Sequence, residues 1–312
     1  MQAIARSSRL AGMGVSRKNL ILASNPKSGR GRGLEIAQSS AEYLLRAGHS
    51  VIHLQADSDA ALRDLLRTAV VADCDGAILV GGDGLVHSGI NALAGQPSLP
   101  IGIIPAGTGN DIAMALGIPL VYADALDHLD KSLRRSPRRI DLGHSSQASV
   151  SARFAAVYSA GFDAVVNERA NQMAYPKGPS RYTVALLAEL SAMRPRHYQL
   201  EVDGEAMSRE ALLVAVANGP SFGGGMRVVP DASMTDGVLE VFIVGPVSKL
   251  EFLRIYPRVF SGAHVSHPAV EIIQARRVSI AAEGIVGYAD GERQGSLPVT
   301  IEVAPSAIGV FA

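Results

Sequence analysis

Leu79-Val80-Gly81-Gly82-Asp83-Gly84-Leu85-Val86-His87 and Ile104-Pro105-Ala106-Gly107-Thr108-Gly109-Asn110-Asp111 are two variations on one pattern. In each, a short apolar run (Ala77 to Val80, Ile101 to Ile104) breaks into glycines, delivers an aspartate and passes into a helix-like segment. Glycines at a strand-to-helix turn let the backbone approach a ligand closely and take positive φ without a Cβ penalty. The first N–H groups of the following helix lack intrahelical partners and favour an anion. An aspartate there would repel a bare phosphate, so its presence points to a metal ion or a hydroxyl partner. Phosphate together with Mg2+ reads as a nucleotide site.

Upstream, Leu20-Ile21-Leu22-Ala23 reads as a buried strand that ends in Ser24-Asn25-Pro26-Lys27-Ser28-Gly29-Arg30-Gly31-Arg32-Gly33. This basic, glycine-rich loop is placed for phosphates, with Asn25 and Ser28 offering hydrogen bonds and Lys27 offering charge. It is not a Walker loop, because no Gly-Lys-Ser/Thr closes it. Helix-like spacing follows at Leu34 to Arg46, with Gly48 as its stop, and again at Asp59 to Val71, Leu85 to Leu93 and Asn110 to Leu116. Val51 to Leu54 reads as a further strand. Strands alternating with helices in this way imply an α/β domain with a largely parallel sheet buried on both faces. Ligands of such sheets bind at the carboxyl ends of the strands, where all these glycine loops emerge.

Near Ile140 the texture changes to period-two alternation and turn signals: Phe154 to Tyr158, Gln199 to Val202 turning at Asp203-Gly204, Leu212 to Ala217, Leu239 to Val244, Val278 to Ala281 and Val299 to Val303. Helical spacing is confined to about Tyr182 to Ser191 and Val247 to Val259. The expectation is a mainly antiparallel β-sandwich second domain with its own core. The division expected is a disordered extension over 1–17, a nucleotide-binding domain over 18–141 and a β-rich domain over 142–303, with the tail 304–312 packing back on the first domain.

A chain of 312 residues is long enough for two cores. Its 29 basic and 29 acidic residues create no global field, so bulk nucleic-acid binding is not indicated. The single cysteine, Cys74, excludes an intramolecular disulfide framework and fits a reducing, cytoplasmic compartment. No apolar stretch approaches the ~20 residues that span a bilayer. The Arg- and Ser-rich start lacks the long apolar region of a secretory signal, so export is not expected.

Two glycine loops with aspartates, a basic loop upstream and a β-rich second half together resemble the diacylglycerol kinase catalytic-domain family. These lipid kinases include sphingosine and ceramide kinases, and the chain looks most like the bacterial soluble members. The resemblance runs from Asn25 to Phe311. It rests on Asn25-Pro26-Lys27-Ser28-Gly29, Gly81-Gly82-Asp83-Gly84 and Pro105 to Asp111, then on Asn218-Gly219, Gly223-Gly224-Gly225-Met226 and Pro230. Asp236-Gly237-Val238-Leu239-Glu240 and Asp290-Gly291-Glu292 complete it.

The resemblance implies a first domain folded like phosphofructokinases and NAD kinases, and an ATP- and Mg2+-dependent kinase of phospholipid metabolism that phosphorylates the hydroxyl of diacylglycerol or a related lipid. Gly82, Asp83 and Gly84 would line the triphosphate, Leu85 would offer only its backbone N–H, and Gly107, Thr108, Gly109, Asn110 and Asp111 would form the second nucleotide loop. Asp83 or Asp111 would help hold the catalytic Mg2+. Glu292 stands where the family's proton acceptor is placed. Ser233, Asp236 and Val238 match the positions that hold a structural Mg2+ in bacterial members. The family's usual continuation is Gly-Gly-Asp-Gly-Thr-x-Asn-Glu, whereas this chain has Leu85, His87 and Ser88, similar to the sphingosine-kinase version. The lipid implies peripheral contact with the inner membrane face, for which Phe222, Met226, Tyr175 and Arg194 to His197 are the candidate residues. The resemblance also leaves room for a homodimer. The alternatives are an NAD-kinase-like enzyme, which shares the Gly-Gly-Asp-Gly loop, and a nucleotide- or lipid-binding regulator, which the Leu85 and Ser88 departures motivate.

Overall fold

The apolar runs that precede the glycine turns form the centre of a parallel sheet. The structure is a computed structural model that describes residues 17–26, 33–69, 74–93, 99–148, 150–173, 175–176 and 180–312. Residues 1–16, expected as an extension, and Lys27 and Ser28 of the basic loop lie outside the described residues.

The first domain runs β1 (Asn19–Ser24), α1 (Gly33–Arg46), β2 (Ser50–Gln55), α2 (Asp59–Ala69), β3 (Gly76–Gly81), α3 (Asp83–Leu93), β4 (Ile101–Pro105), α4 (Asp111–Ala115) and α5 (Tyr122–Leu133). Strands β2, β1, β3 and β4 lie side by side in that order, all parallel. Every residue of β3 and β4 is buried, as befits strands covered on both faces. One face packs Leu62, Leu66, Val86 and Ile90 of α2 and α3 against Ile21, Leu79 and Ile103. The other packs Leu44, Leu126, Leu129 and the C-terminal Phe311 against Leu22, Ile78 and Ile104.

The second domain continues with β5 (Arg138–Ser146), β6 (Ser151–Phe154), β7 (Val157–Gly161), α6 (Phe162–Gln172), α7 (Ser180–Glu189), β8 (Arg196–Val202), β9 (Glu205–Ala211), β10 (Leu213–Ala217), β11 (Leu239–Val244) and α8 (Lys249–Ile255). It ends with β12 (Val270–Ala275), β13 (Arg277–Ala281), β14 (Val286–Ala289), β15 (Glu292–Ser296) and β16 (Val299–Val310). One sheet is antiparallel throughout, in the order β12-β11-β10-β7-β14-β15. The opposing sheet is an extension of the parallel one, because β16 pairs with β4 at Val310 and Ile101 and then antiparallel with β13 and β5. Tyr158, Tyr198, Leu200, Val214, Val216, Val241 and Ile280 fill the space between the two sheets.

The β-sandwich has more helix than the alternation suggests. Besides α7 and α8, helix α6 follows β7 directly, at Gly161, whose φ is +153°. A Cβ there would stand 2.6 Å from Cα of Leu213, so only glycine allows this close entry. Adjacent β-branched Val165 and Val166 among polar residues mask the helical period of α6 in the sequence. The run Phe154 to Tyr158, which reads as one strand, is two strands broken at Ala155-Ala156. Leu85, Val86 and Ile112 of the first domain share one apolar cluster with Ala155, Ala156, Val157, Val228 and Met234 of the second. The two domains are therefore joined by packed side chains beneath the loops that face each other across the cleft.

Candidate active site

The two glycine turns leave the ends of β3 and β4 side by side, with Gly81 paired to Pro105. A Cβ on Gly107 would stand 2.4 Å from Cα of Gly82, so the loops touch through bare backbone and any side chain would push them apart. Asp83 opens α3 but turns its carboxylate sideways, where Oδ1 accepts from the Ile112 N–H at 3.0 Å. It thereby caps α4. Asn110, at the cap position itself, is left-handed (φ 57°) and turns its side chain back so that Oδ1 accepts from the Gly107 N–H at 2.9 Å. Asp111 reaches across the cleft, and its two oxygens accept from the N–H groups of Gly224 and Gly225, each at 2.7 Å. One aspartate thus stitches the two glycine loops together, and the other ties them to the second domain.

These carboxylates are costly to ionise. Burial, then the neighbouring Asp111 charge, pushes Asp83 from 3.8 up to about 6. Burial also raises Asp111, against the pull of the Gly224 and Gly225 N–H groups. Oxygens Oδ2 of both residues converge on Gly109, where a Cβ would stand 3.0 and 3.1 Å from them. Excess negative charge in a recessed, all-oxygen setting fits a hard divalent cation such as Mg2+. Among the described residues no group of three His, Cys, Asp or Glu side chains could hold a metal alone. A cation at Asp83 would therefore draw its remaining ligands from water and substrate.

The second domain brings its own acid group to the same place. Asp290 and Gly291 have φ of 50° and 86° and join β14 to β15 in a tight turn, which sets Glu292 at the start of β15. A Cβ on Gly84 would stand 3.0 Å from Oε1 of Glu292, so the carboxylate overhangs the N-terminus of α3. Asp290 faces inward instead: Oδ1 accepts from the Ala156 and Val157 N–H groups (2.8 and 3.2 Å) and Oδ2 from Ala155 (2.9 Å). This explains the strand break, since those amides serve the carboxylate rather than a ladder. Asn167 of α6 donates to the Gly291 carbonyl at 3.0 Å. A cleft of about 220 Å3 results, lined by Asp83, Gly84, Thr108, Gly109, Asp111, Asn167, Arg181, Gly224 and Glu292.

Residues 19–145 match the model of the diacylglycerol kinase catalytic domain, and residues 155–312 match the YegS C-terminal NAD kinase beta sandwich-like domain. A diacylglycerol kinase of Mycobacterium tuberculosis is 36% identical over 289 residues, covering 92% of this chain and 93% of that one. The chain belongs to the diacylglycerol kinase catalytic-domain family. In fold it is similar to a candidate diacylglycerol kinase from Bacillus anthracis (TM-score 0.77, 21% identity, covering 96% of this chain and 98% of that one). It is also similar to an NAD kinase from Archaeoglobus fulgidus solved with ATP (TM-score 0.53, 14% identity, 94% and 92% covered). Membership makes the chain a kinase of the lipid kinase family.

For a diacylglycerol kinase family member, the expected site residues fall into groups. Gly84, Thr108, Gly109, Asp83, Asp111 and Glu292 line one cleft. Gly82, Gly107 and Asn110 shape its loops from behind, and Asn25 stands just past the end of β1. Leu85 points its side chain into the core at 5% exposure, leaving the cleft only its backbone, and Ser88 is buried too. Asp236 is exposed, and its Oδ1 accepts from the Val238 N–H at 3.2 Å. Its carboxylate and the nearby carbonyls are hard oxygen donors of the kind Mg2+ takes. The turn is also held by Asp141, whose Oδ2 accepts from the Gly237 N–H at 2.7 Å.

Beside the polar cleft, and sharing Asn167 and Phe222 with it, lies an apolar cavity of about 120 Å3. Phe162, Val166, Leu186, Phe242, Phe252 and Val259 form much of its wall, as does Met226. Its one carboxylate, Asp163, has no signal in the sequence beyond following Gly161-Phe162. Burial pushes Asp163 from 3.8 to about 6; the Ser159 hydroxyl and Ala164 amide approach it without reaching hydrogen-bond geometry. Because the folded state holds this proton more tightly, the associated stability is present below pH 3.8 and lost as pH rises through about 6. The expected loss is about 3 kcal/mol. Asp163→Asn is expected to remove that share of the pH dependence, read from denaturant unfolding at acid and alkaline pH.

Proposed function

We propose that this protein transfers the γ-phosphate of ATP to a hydroxyl of diacylglycerol or a related lipid. The observation that carries this reading is the apolar cavity opening beside the acidic cleft, with Asn167 and Phe222 in both walls. A lipid whose chain enters the cavity would present its hydroxyl at that border, facing Glu292. Glu292 takes the hydroxyl proton as the lipid oxygen bonds to the γ-phosphorus, the β–γ bridging bond breaks, and ADP leaves. The N–H groups at the start of α3 and the Gly107 to Gly109 loop hold the phosphates. Asp83, backed by Asp111, would hold Mg2+, which neutralises phosphate charge when bound; Ser233, Asp236 and Val238 would hold a second, structural Mg2+. The ATP bound by the Archaeoglobus NAD kinase supports the choice of nucleotide.

The cavity is small beside the ~300–1,000 Å3 typical of ligand pockets, so a long-chain lipid would leave part of its chain outside. Around it, α6, α7 and α8 and the segment after α8 carry exposed Val165, Leu187, Leu250 and Phe260, and Tyr175 nearby is 74% exposed. These side chains would meet the membrane; among the described residues no helix is long and apolar enough to cross it. Phe222 and Met226, expected at this edge, line the cavity. Val166→Phe, which fills the cavity, is expected to lower kcat/KM for a long-chain acceptor by about tenfold or more and to leave KM for ATP unchanged. Equal loss for both substrates would count against a lipid in the cavity.

A further inference from the structure

His87 lies on α3, one turn beyond the Gly-Gly-Asp-Gly stretch, and is 4% exposed. Its Nδ1 lies 3.2 Å from Oδ2 of Asp290, whose side chain is 1% exposed. A carboxylate only accepts, so Nδ1 carries the proton. The other ring nitrogen, Nε2, faces Nδ2 of Asn91 at 3.3 Å, whose shorter bonds go to the His87 carbonyl at 2.9 Å and the Arg153 carbonyl. The orientation of Asn91 is fixed independently, because its Oδ1 accepts from the Arg153 N–H at 2.8 Å and its Nδ2 donates to the Arg153 carbonyl at 2.8 Å.

We infer that His87 is a positioning residue for Glu292. From α3 its side chain grips the Asp290-Gly291 turn, two residues before the carboxylate that overhangs Gly84. The remaining Asp290 bonds, to the Ala155, Ala156 and Val157 amides, lie within the second domain. They hold the turn to its own sheet; α3 meets that sheet through Leu85 and Val86, packed with Ala155 to Val157, and through Asn91 on Arg153, while His87 bonds the turn itself. The His87–Asp290 bond sets the height of Glu292 above the N-terminus of α3, where the transferred phosphate would lie. This inference rests on the reading of Glu292 as the base.

The geometry allows a sharp test. An asparagine at 87 places its Nδ2 donor, bonded to Cγ, where Nδ1 of histidine stands, and so can still reach Asp290. A glutamine places its amide nearer the Nε2 position, away from Asp290. His87→Gln is expected to lower kcat for lipid phosphorylation by about tenfold to a hundredfold, the cost of a base displaced by ~1 Å, with KM for ATP unchanged. His87→Asn is expected to retain kcat. Combining His87→Gln with Glu292→Gln is expected to cost no more than Glu292→Gln alone. A fully active His87→Gln, or the same loss from it in both Glu292 backgrounds, overturns the positioning role and leaves the base intact. Full turnover by Glu292→Gln itself removes the base, and the positioning role with it. Thermal melts of the Asn and Gln variants separate packing from positioning: melts that track kcat, or a kcat lost in His87→Asn and kept in His87→Gln, would overturn the inference, and equal melts with kcat lowered in His87→Gln alone support it.

Discussion

Replacing Glu292 with Gln is expected to lower kcat for phosphoryl transfer by about 10²–10⁴, the range that a positioned general base contributes. Glutamine keeps the size of the side chain and its place at the start of β15, but cannot take a proton from the attacking hydroxyl. The turn that sets it is held by Asp290 and by Asn167, neither of which the substitution touches. Fold stability and KM for ATP should therefore stay at wild-type values while turnover falls. Initial rates at saturating lipid and ATP, with a thermal melt of the same sample, read both halves. A variant of full turnover would remove Glu292 from the chemistry.

Asp83→Asn is expected to raise stability at alkaline pH while lowering activity much as Glu292→Gln does. Asparagine retains an oxygen to accept from the Ile112 N–H, so the cap on α4 survives. It loses the charge that would attract Mg2+ and oppose its drift from the phosphates, and kcat should drop by about 10²–10³, as when a preorganised electrostatic group is removed. The wild-type carboxylate is pushed up to about 6 by burial and by Asp111. Its stabilising contribution is present below pH 3.8 and lost as pH rises through about 6. At alkaline pH the ionised, ligand-free form carries a penalty of about 3 kcal/mol, which the asparagine does not. The variant should thus melt higher than wild type at pH 8 and lose that advantage near pH 4, as expected where a site trades stability for function. Loss of activity together with a lower melting temperature at pH 8 would mean that Asp83 serves the fold.

The strand-glycine-aspartate repeat made the parallel sheet and the facing loops legible, because glycine turns and buried strands have strong local signatures. Longer-range features were not. Asp290 reads as an ordinary Asp-Gly turn, and only the folded chain brings three amides from Ala155 to Val157 onto its carboxylate. The same contact splits a run that looks like one strand. Helix α6 is hidden by paired valines, yet it supplies Asn167 to the Glu292 turn and Val166 to the apolar cavity. His87 could be assigned hydrogen bonding from its place on a helix, but its partner lies 203 residues away. Asp163, buried in the cavity wall, has no local signature at all.

On the proposed function, the acidic cleft and the apolar cavity serve one reaction. The most direct measurement incubates purified protein with γ-labelled ATP, Mg2+ and mixed micelles holding diacylglycerol or sphingosine, or with NAD in solution, and asks where the label goes. Label in a phosphorylated lipid, lost in Asp83→Asn and Glu292→Gln, is the predicted result. Label in NADP, or bound nucleotide with no transfer to any acceptor, would contradict it.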